Sequence, residues 1–137
     1  MSDSVVNSLA NVPAFLGYFG ATILLLLIFM VVYTAITPHR EFALIRQGNV
    51  AALLSLAGAW IGFVLPLASV VTHSVGIPDL MIWGLIAMVV QVVAYLVTRL
   101  AVPTLSADIT AGKNSVGGLC GIVALSVGIL NAACMTY

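Results

Sequence analysis

The sequence predicts an all-α membrane protein of four transmembrane helices, made from two parallel two-helix repeats that each carry a short cytoplasmic interfacial helix. Three observations carry that reading. Hydrophobic residues make up 63% of the chain and charged residues 6%, mean hydropathy is +1.25, and four long apolar runs contain no charge at all. A water-facing surface needs roughly 25% charged residues. Four basic and four acidic side chains could not cover a soluble globule of 137 residues. Lipid is therefore the expected solvent and partner.

The runs are residues 13–36, 50–72, 80–98 and 115–135, each near the 20 or so residues that cross a bilayer as a helix. None alternates apolar and polar residues as a barrel strand facing a wet lumen does. The leading segment 1–11 carries Asp3 and no Lys or Arg. It lacks the positive region of a secretory signal, so the first run is expected to stay as a membrane helix.

Connections 37–49 and 99–114 hold all four cations, Arg40, Arg46, Arg99 and Lys113, whereas 73–79 holds none. Cations gather on the cytoplasmic side of short loops, which predicts that both termini face outward. Tyr18 and Trp83 fall near the outer interface and Tyr33 and Tyr95 near the inner one, depths that suit amphipathic rings. Trp60 falls mid-membrane and is expected to face protein, because its indole N–H needs an acceptor there.

Residues 1–137 form one membrane domain whose halves, 13–72 and 80–135, repeat. Ala51, Ser55, Gly58 and Gly62 recur 66 positions later as Gly117, Gly121, Ala124 and Gly128. Steps of four, three and four keep each set on one helical face. Lipid and protein are equally apolar, so helices associate where small residues let backbones approach. These stripes are predicted packing faces, within one chain or between copies, and a homo-oligomer is expected. Pro38 matches Pro103 and Asn49 matches Asn114 at a spacing of 65. Each connection reads as a short helix at the membrane surface. Thr37 is its expected N-cap, Pro38 its first residue and Gly48 its stop; the second copy runs from Pro103 to about Gly112.

Chemistry-bearing residues are few. Pro66 leaves the Gly62 carbonyl without its helical donor. With Gln91 and Asn131 it defines a candidate intramembrane polar site, the alternative being simple interhelical hydrogen bonds. Proton relays place acids or histidines within the membrane, and the four runs hold neither. Asp79, just after Pro78, suits the first turn of the third helix. The pairs His39/Glu41 and His73/Asp79 are expected to be solvated, and no enzyme site is expected. Cys120 and Cys134 lack metal or redox spacing and read as small apolar fillers. No cofactor, metal or nucleic-acid partner is expected.

The segments Thr34-Ala35-Ile36-Thr37-Pro38-His39-Arg40-Glu41, Pro66-Leu67-Ala68-Ser69, Ile77-Pro78-Asp79, Trp83-Gly84, Gln91 and Asn131-Ala132-Ala133-Cys134-Met135-Thr136 resemble the YjfL-like bacterial inner-membrane proteins, domain of unknown function 350. The resemblance spans nearly the whole chain. It implies four spans from a doubled two-helix unit in the inner membrane, with envelope proteins as further partners, and it brings no catalytic residues. A self-associating envelope or stress-related component is the leading expectation. A small oligomeric channel or transporter is the alternative.

Overall fold

The computed structural model describes residues 2–135. Among the described residues the regular elements are all helices: α1 (Asp3–Ala10), α2 (Val12–Ile36), α3 (Glu41–Arg46), α4 (Val50–His73), α5 (Ile77–Ala101), α6 (Leu105–Thr110) and α7 (Asn114–Cys134). Four helices, those containing α2, α4, α5 and α7, are long and apolar enough to cross a membrane. At about 1.5 Å per residue even 21 residues reach about 30 Å, the thickness of the hydrocarbon core. The all-α, four-span expectation is met. Helix α1 was not foreseen. It precedes α2 with only Asn11 between them and has no buried residue.

Helix α4 is the centre. Residues 51, 52, 55, 56, 58, 59, 62, 63, 66, 67 and 70 are all buried, a stripe too wide for one neighbour. The small residues of that stripe meet α7. A Cβ placed on Gly117 would fall on the backbone of Ala51, and one on Gly58 would fall on the backbone of Gly121. Gly62 sits likewise against Ala124, and Gly128 against Gly62. The contacts advance along both helices in the same direction, so α4 and α7 run parallel and nearly in register. Without a hydrophobic force between helices in lipid, such close approach supplies the attraction.

The larger residues of α4 meet α2 and α5. Phe63 stacks on Phe29 with ring centroids 4.4 Å apart, and Leu25 and Leu80 are fully buried in the same core. Gly84 leaves room for the Leu25 side chain.

Helices α3 and α6 lie together at one end. The Asn49 side chain caps α4 by accepting the Ala52 N–H at 3.0 Å and donates to the Ile109 carbonyl of α6 at 2.8 Å. One side chain thus ends an orphan donor and ties the halves. Asn49→Ala is expected to lower stability by about 1–2 kcal/mol, a capping loss plus a lost tie. Thermal unfolding in mild detergent checks it, and an unchanged midpoint would remove the role.

Several local expectations differ from the structure. Helix α3 begins at Glu41, not Pro38. Thr37 instead terminates α2, donating its hydroxyl to the Tyr33 carbonyl at 3.1 Å. Its Oγ finds an i−4 carbonyl before it could find an N–H ahead, the common alternative for a threonine ending a helix. Helix α6 begins at Leu105 rather than Pro103, and Gly48 and Gly112 follow the two short helices with φ of +85° and +81°. Trp60 faces outward at 38% exposure. Residues two apart on a helix point to nearly opposite sides, and Gly58 and Gly62 take the protein side.

Candidate functional site

The buried polar side chains, Thr37, His39, Glu41, Ser55, Gln91 and Thr98, run from the end that carries α3 and α6 toward the middle of the bundle. Here the expectation of a solvated His39/Glu41 pair is corrected. Glu41 is 2% exposed and His39 7%. Glu41 opens α3, which packs on α4, and its side chain points into the bundle instead of out to water. His39 Nε2 lies 3.2 Å from Glu41 Oε1, and His39 Nδ1 lies 2.8 Å from the Ser106 hydroxyl on α6. The other carboxyl oxygen, Glu41 Oε2, is buried without a hydrogen-bond partner.

Inward from this pair the cluster continues. Tyr33 on α2 has its hydroxyl 3.3 Å from Ser55 on α4, and Ser55 donates to the Cys120 sulfur on α7 at 3.3 Å. Tyr33 also packs edge-on to Tyr95 of α5 at 5.4 Å. Both tyrosines are interior residues, 2% and 4% exposed, not interface anchors as their depth suggested. Cys120 is buried and Cys134 exposed, so only the first fills a helix contact.

Gln91 ends the cluster. Its Nε2 donates to the Ala124 carbonyl of α7 at 2.9 Å. Its Oε1 and the Tyr95 hydroxyl are buried with no hydrogen-bond partner. Both residues line a cavity of about 10 Å³, together with Tyr33, Thr98, Cys120 and Ala124. That is close to the smallest space a water molecule fills, and two unmet polar groups are what a single water needs.

Of the intramembrane polar site expected from the sequence, Gln91 and Gly62 are brought together, since a Cβ on Gly62 would crowd Gln91 Nε2. Pro66 is buried on the same stripe. Asn131 lies two helical turns beyond Ala124, half-buried, with its Nδ2 unpaired. Between them Gly62 and Gly128 close the seam. Asp79 caps its own turn by accepting the Val75 N–H at 3.1 Å.

The residues missed by sequence reasoning are therefore Glu41, His39, Tyr33, Tyr95 and Ser106. The available signal was a histidine and an acid two positions apart in a chain with only eight Asp, Glu, Lys and Arg residues. Among the described residues, no group of three or more His, Cys, Asp or Glu could hold a metal ion.

Burial raises the Glu41 carboxyl above the usual glutamate range, and the His39 hydrogen bond and charge oppose that shift without cancelling it. A carboxyl that binds its proton more tightly folded than unfolded stabilises the fold fully below its unfolded value. That contribution is lost as pH rises through the raised value. Half-buried Asp108 behaves oppositely, held low by hydrogen bonds from Thr104 and then Lys113. The melting temperature in detergent is expected to fall as pH rises from the ordinary carboxylate range. Glu41→Gln should flatten that slope, and a slope of the same size in the variant would assign it elsewhere.

Comparison with known proteins agrees with this architecture. The chain is 41% identical over 132 residues to the UPF0719 inner membrane protein YjfL of Escherichia coli K12, covering 96% of this chain and 100% of the relative. It is 24% identical over 139 residues to the UPF0719 transmembrane protein YshE of Bacillus subtilis, covering 97% and 98%. No solved structure matches. The family resemblance rested partly on Thr136, which lies outside the described residues. Four apolar helices and these relatives identify a multi-pass inner-membrane protein. With the model for Domain of Unknown Function (DUF350) matching residues 7–135, the chain belongs to the DUF350 family.

Proposed function

We propose that this protein is a non-enzymatic inner-membrane subunit that associates with further copies of itself and acts in envelope organisation or stress. The observation that carries the reading is the closed centre. Gly58 against Gly121, and Gly62 against Ala124 and Gly128, leave no lumen between α4 and α7. A single chain of this shape acts in the membrane plane, with lipids, envelope proteins and other copies as partners. The small-residue stripes meet inside the chain, so association uses lipid-facing surfaces. The span containing α2 is the least covered of the four, and its outer face carries Phe15 stacked on Phe19 at 5.6 Å. Copies bearing two different tags, reconstituted at low protein-to-lipid ratio, should co-purify. Strict monomers in gentle detergents and in nanodiscs would overturn the reading.

Its placement follows the positive-inside rule. Arg40, Arg46, Arg99 and Lys113 flank or lie within the connections that hold α3 and α6, so that end is cytoplasmic in this reading. The two short helices are interfacial, and both termini are periplasmic. The parallel run of α4 and α7, and the left-handed glycine after each short helix, support descent from a doubled two-helix unit. A C-terminal alkaline phosphatase fusion should be active, and an inactive enzyme beside a fluorescent cytoplasmic reporter would reverse the orientation.

A second reading, a small channel or carrier, is favoured by the polar cluster from Glu41 to Gln91. Liposome flux that disappears in Gln91→Leu would support it. Equal flux in that variant, or none in the wild type, would dismiss it.

A further inference from the structure

We propose that Glu41 is a reversible proton-binding site, reached from the end that carries α3 and α6, with Tyr33 as its positioning hydroxyl on the inner side. The proposal stands apart from both functional readings, since an associating subunit and a carrier could each use it.

Four features of the geometry point to a proton. Glu41 is 2% exposed although it lies outside the membrane-crossing helices, at the start of a six-residue helix. One carboxyl oxygen meets an imidazole, and the other, Oε2, makes no hydrogen bond of good geometry, the Tyr33 hydroxyl being the side-chain donor toward this carboxyl on its inner side. A buried carboxylate oxygen left unpaired is costly, and a proton on Oε2 removes the charge while turning that oxygen into a donor. The oxygens linked to the pair are hydroxyls, Ser106 through His39 and Ser55 through Tyr33, and among the described residues no cluster of acids joins them. A multivalent cation would lack ligands there.

The titratable groups that bear on this carboxyl come from every neighbouring element. They are His39 on the connection, Tyr33 on α2, Tyr95 on α5 and Cys120 on α7. His39 alone is basic among them, and Arg40 and Arg46 on either side are exposed. A shallow groove lined by Thr34, Thr37, Pro38, His39, Arg40 and Phe42 borders the group. The Glu41 side chain is closed off at 0% exposure, so the proton enters by a transient opening of that cover. The direction of the Glu41 shift given above agrees with this geometry. Binding is a simple protonation: the carboxylate takes a proton from water at that groove and returns it there, with no other bond changed.

The chain contains a single glutamate, which makes the test direct and free of substitutions. Protein labelled with carbon-13 at the glutamate carboxyl is placed in nanodiscs, and its one carboxyl resonance is followed against pH. The expected result is a single titration whose midpoint lies above that of free glutamate. Tyr33→Phe, which removes the hydroxyl on the inner side, should move the midpoint further upward. A midpoint in the ordinary range, a resonance that never moves, or a wild-type shift produced by sodium or potassium at fixed pH would each overturn the proposal. An unchanged midpoint in Tyr33→Phe would overturn the role of Tyr33.

Discussion

Gly58→Leu is expected to abolish recovery of folded protein from the membrane. A Cβ at this position falls on the backbone of Gly121, and a backbone cannot rotate out of the way as a side chain can. The helices must separate, and with them go the Gly62–Ala124 and Gly117–Ala51 contacts that share the seam. Overpacking a tight core costs about 1–3 kcal/mol and sometimes more. Replacing glycine within a helix returns only about 1 kcal/mol of propensity, so the steric cost wins. Gly20→Ala is the matched control, because nothing lies within 4 Å of its added carbon. Size-exclusion profiles and melting in mild detergent separate the two. A monodisperse Gly58→Leu protein with wild-type melting would contradict the packing.

His39→Leu should be nearly as damaging, and more so at neutral than at acid pH. The pair it breaks has side chains 1% and 0% exposed. Removing one partner of a buried pair costs about 3–5 kcal/mol, because the survivor stays buried without compensation. The loss of the Ser106 contact at 2.8 Å adds to it by loosening α6 from the α2–α3 connection. Below the raised Glu41 value the carboxyl is neutral and needs no counter-charge, so the penalty shrinks there. The double variant His39→Leu with Glu41→Leu should recover much of the loss, as apolar replacement of a whole buried pair often does. Melting temperatures of the single and double variants at acid and neutral pH decide this. Equal damage from both would mean that the residues act through shape alone.

How legible these features were depends on what fixes each one. The four spans follow from composition because the bilayer demands a long charge-free run, and the structure differs only by a few residues at each end. Gly58, Gly62, Gly117, Gly121 and Gly128 were legible as a stripe, since spacing alone puts them on one face. That the stripe closes on itself within one chain was not legible, because spacing names no partner. Glu41 and His39 escaped for a different reason. Their burial depends on α3 packing on α4 and on Ser106 of α6 meeting His39, tertiary events that no local pattern records. Tyr33 and Tyr95 misled by depth, for an aromatic near the headgroups can face either lipid or protein. Trp60 misled by chemistry, since its polar edge suggested the interior while the glycines had already taken that face.

The packing of α4 on α7 inside one chain supports all of this, and one crosslink tests it. Ser55 Oγ lies 3.3 Å from the native Cys120 sulfur, so Ser55→Cys in a Cys134→Ser background puts two thiols within reach of a disulfide. Oxidation in native membranes is expected to give an intrachain bond, seen as a faster-migrating monomer that reverts on reduction. A disulfide-linked dimer, or two thiols that stay free under oxidant, would contradict it.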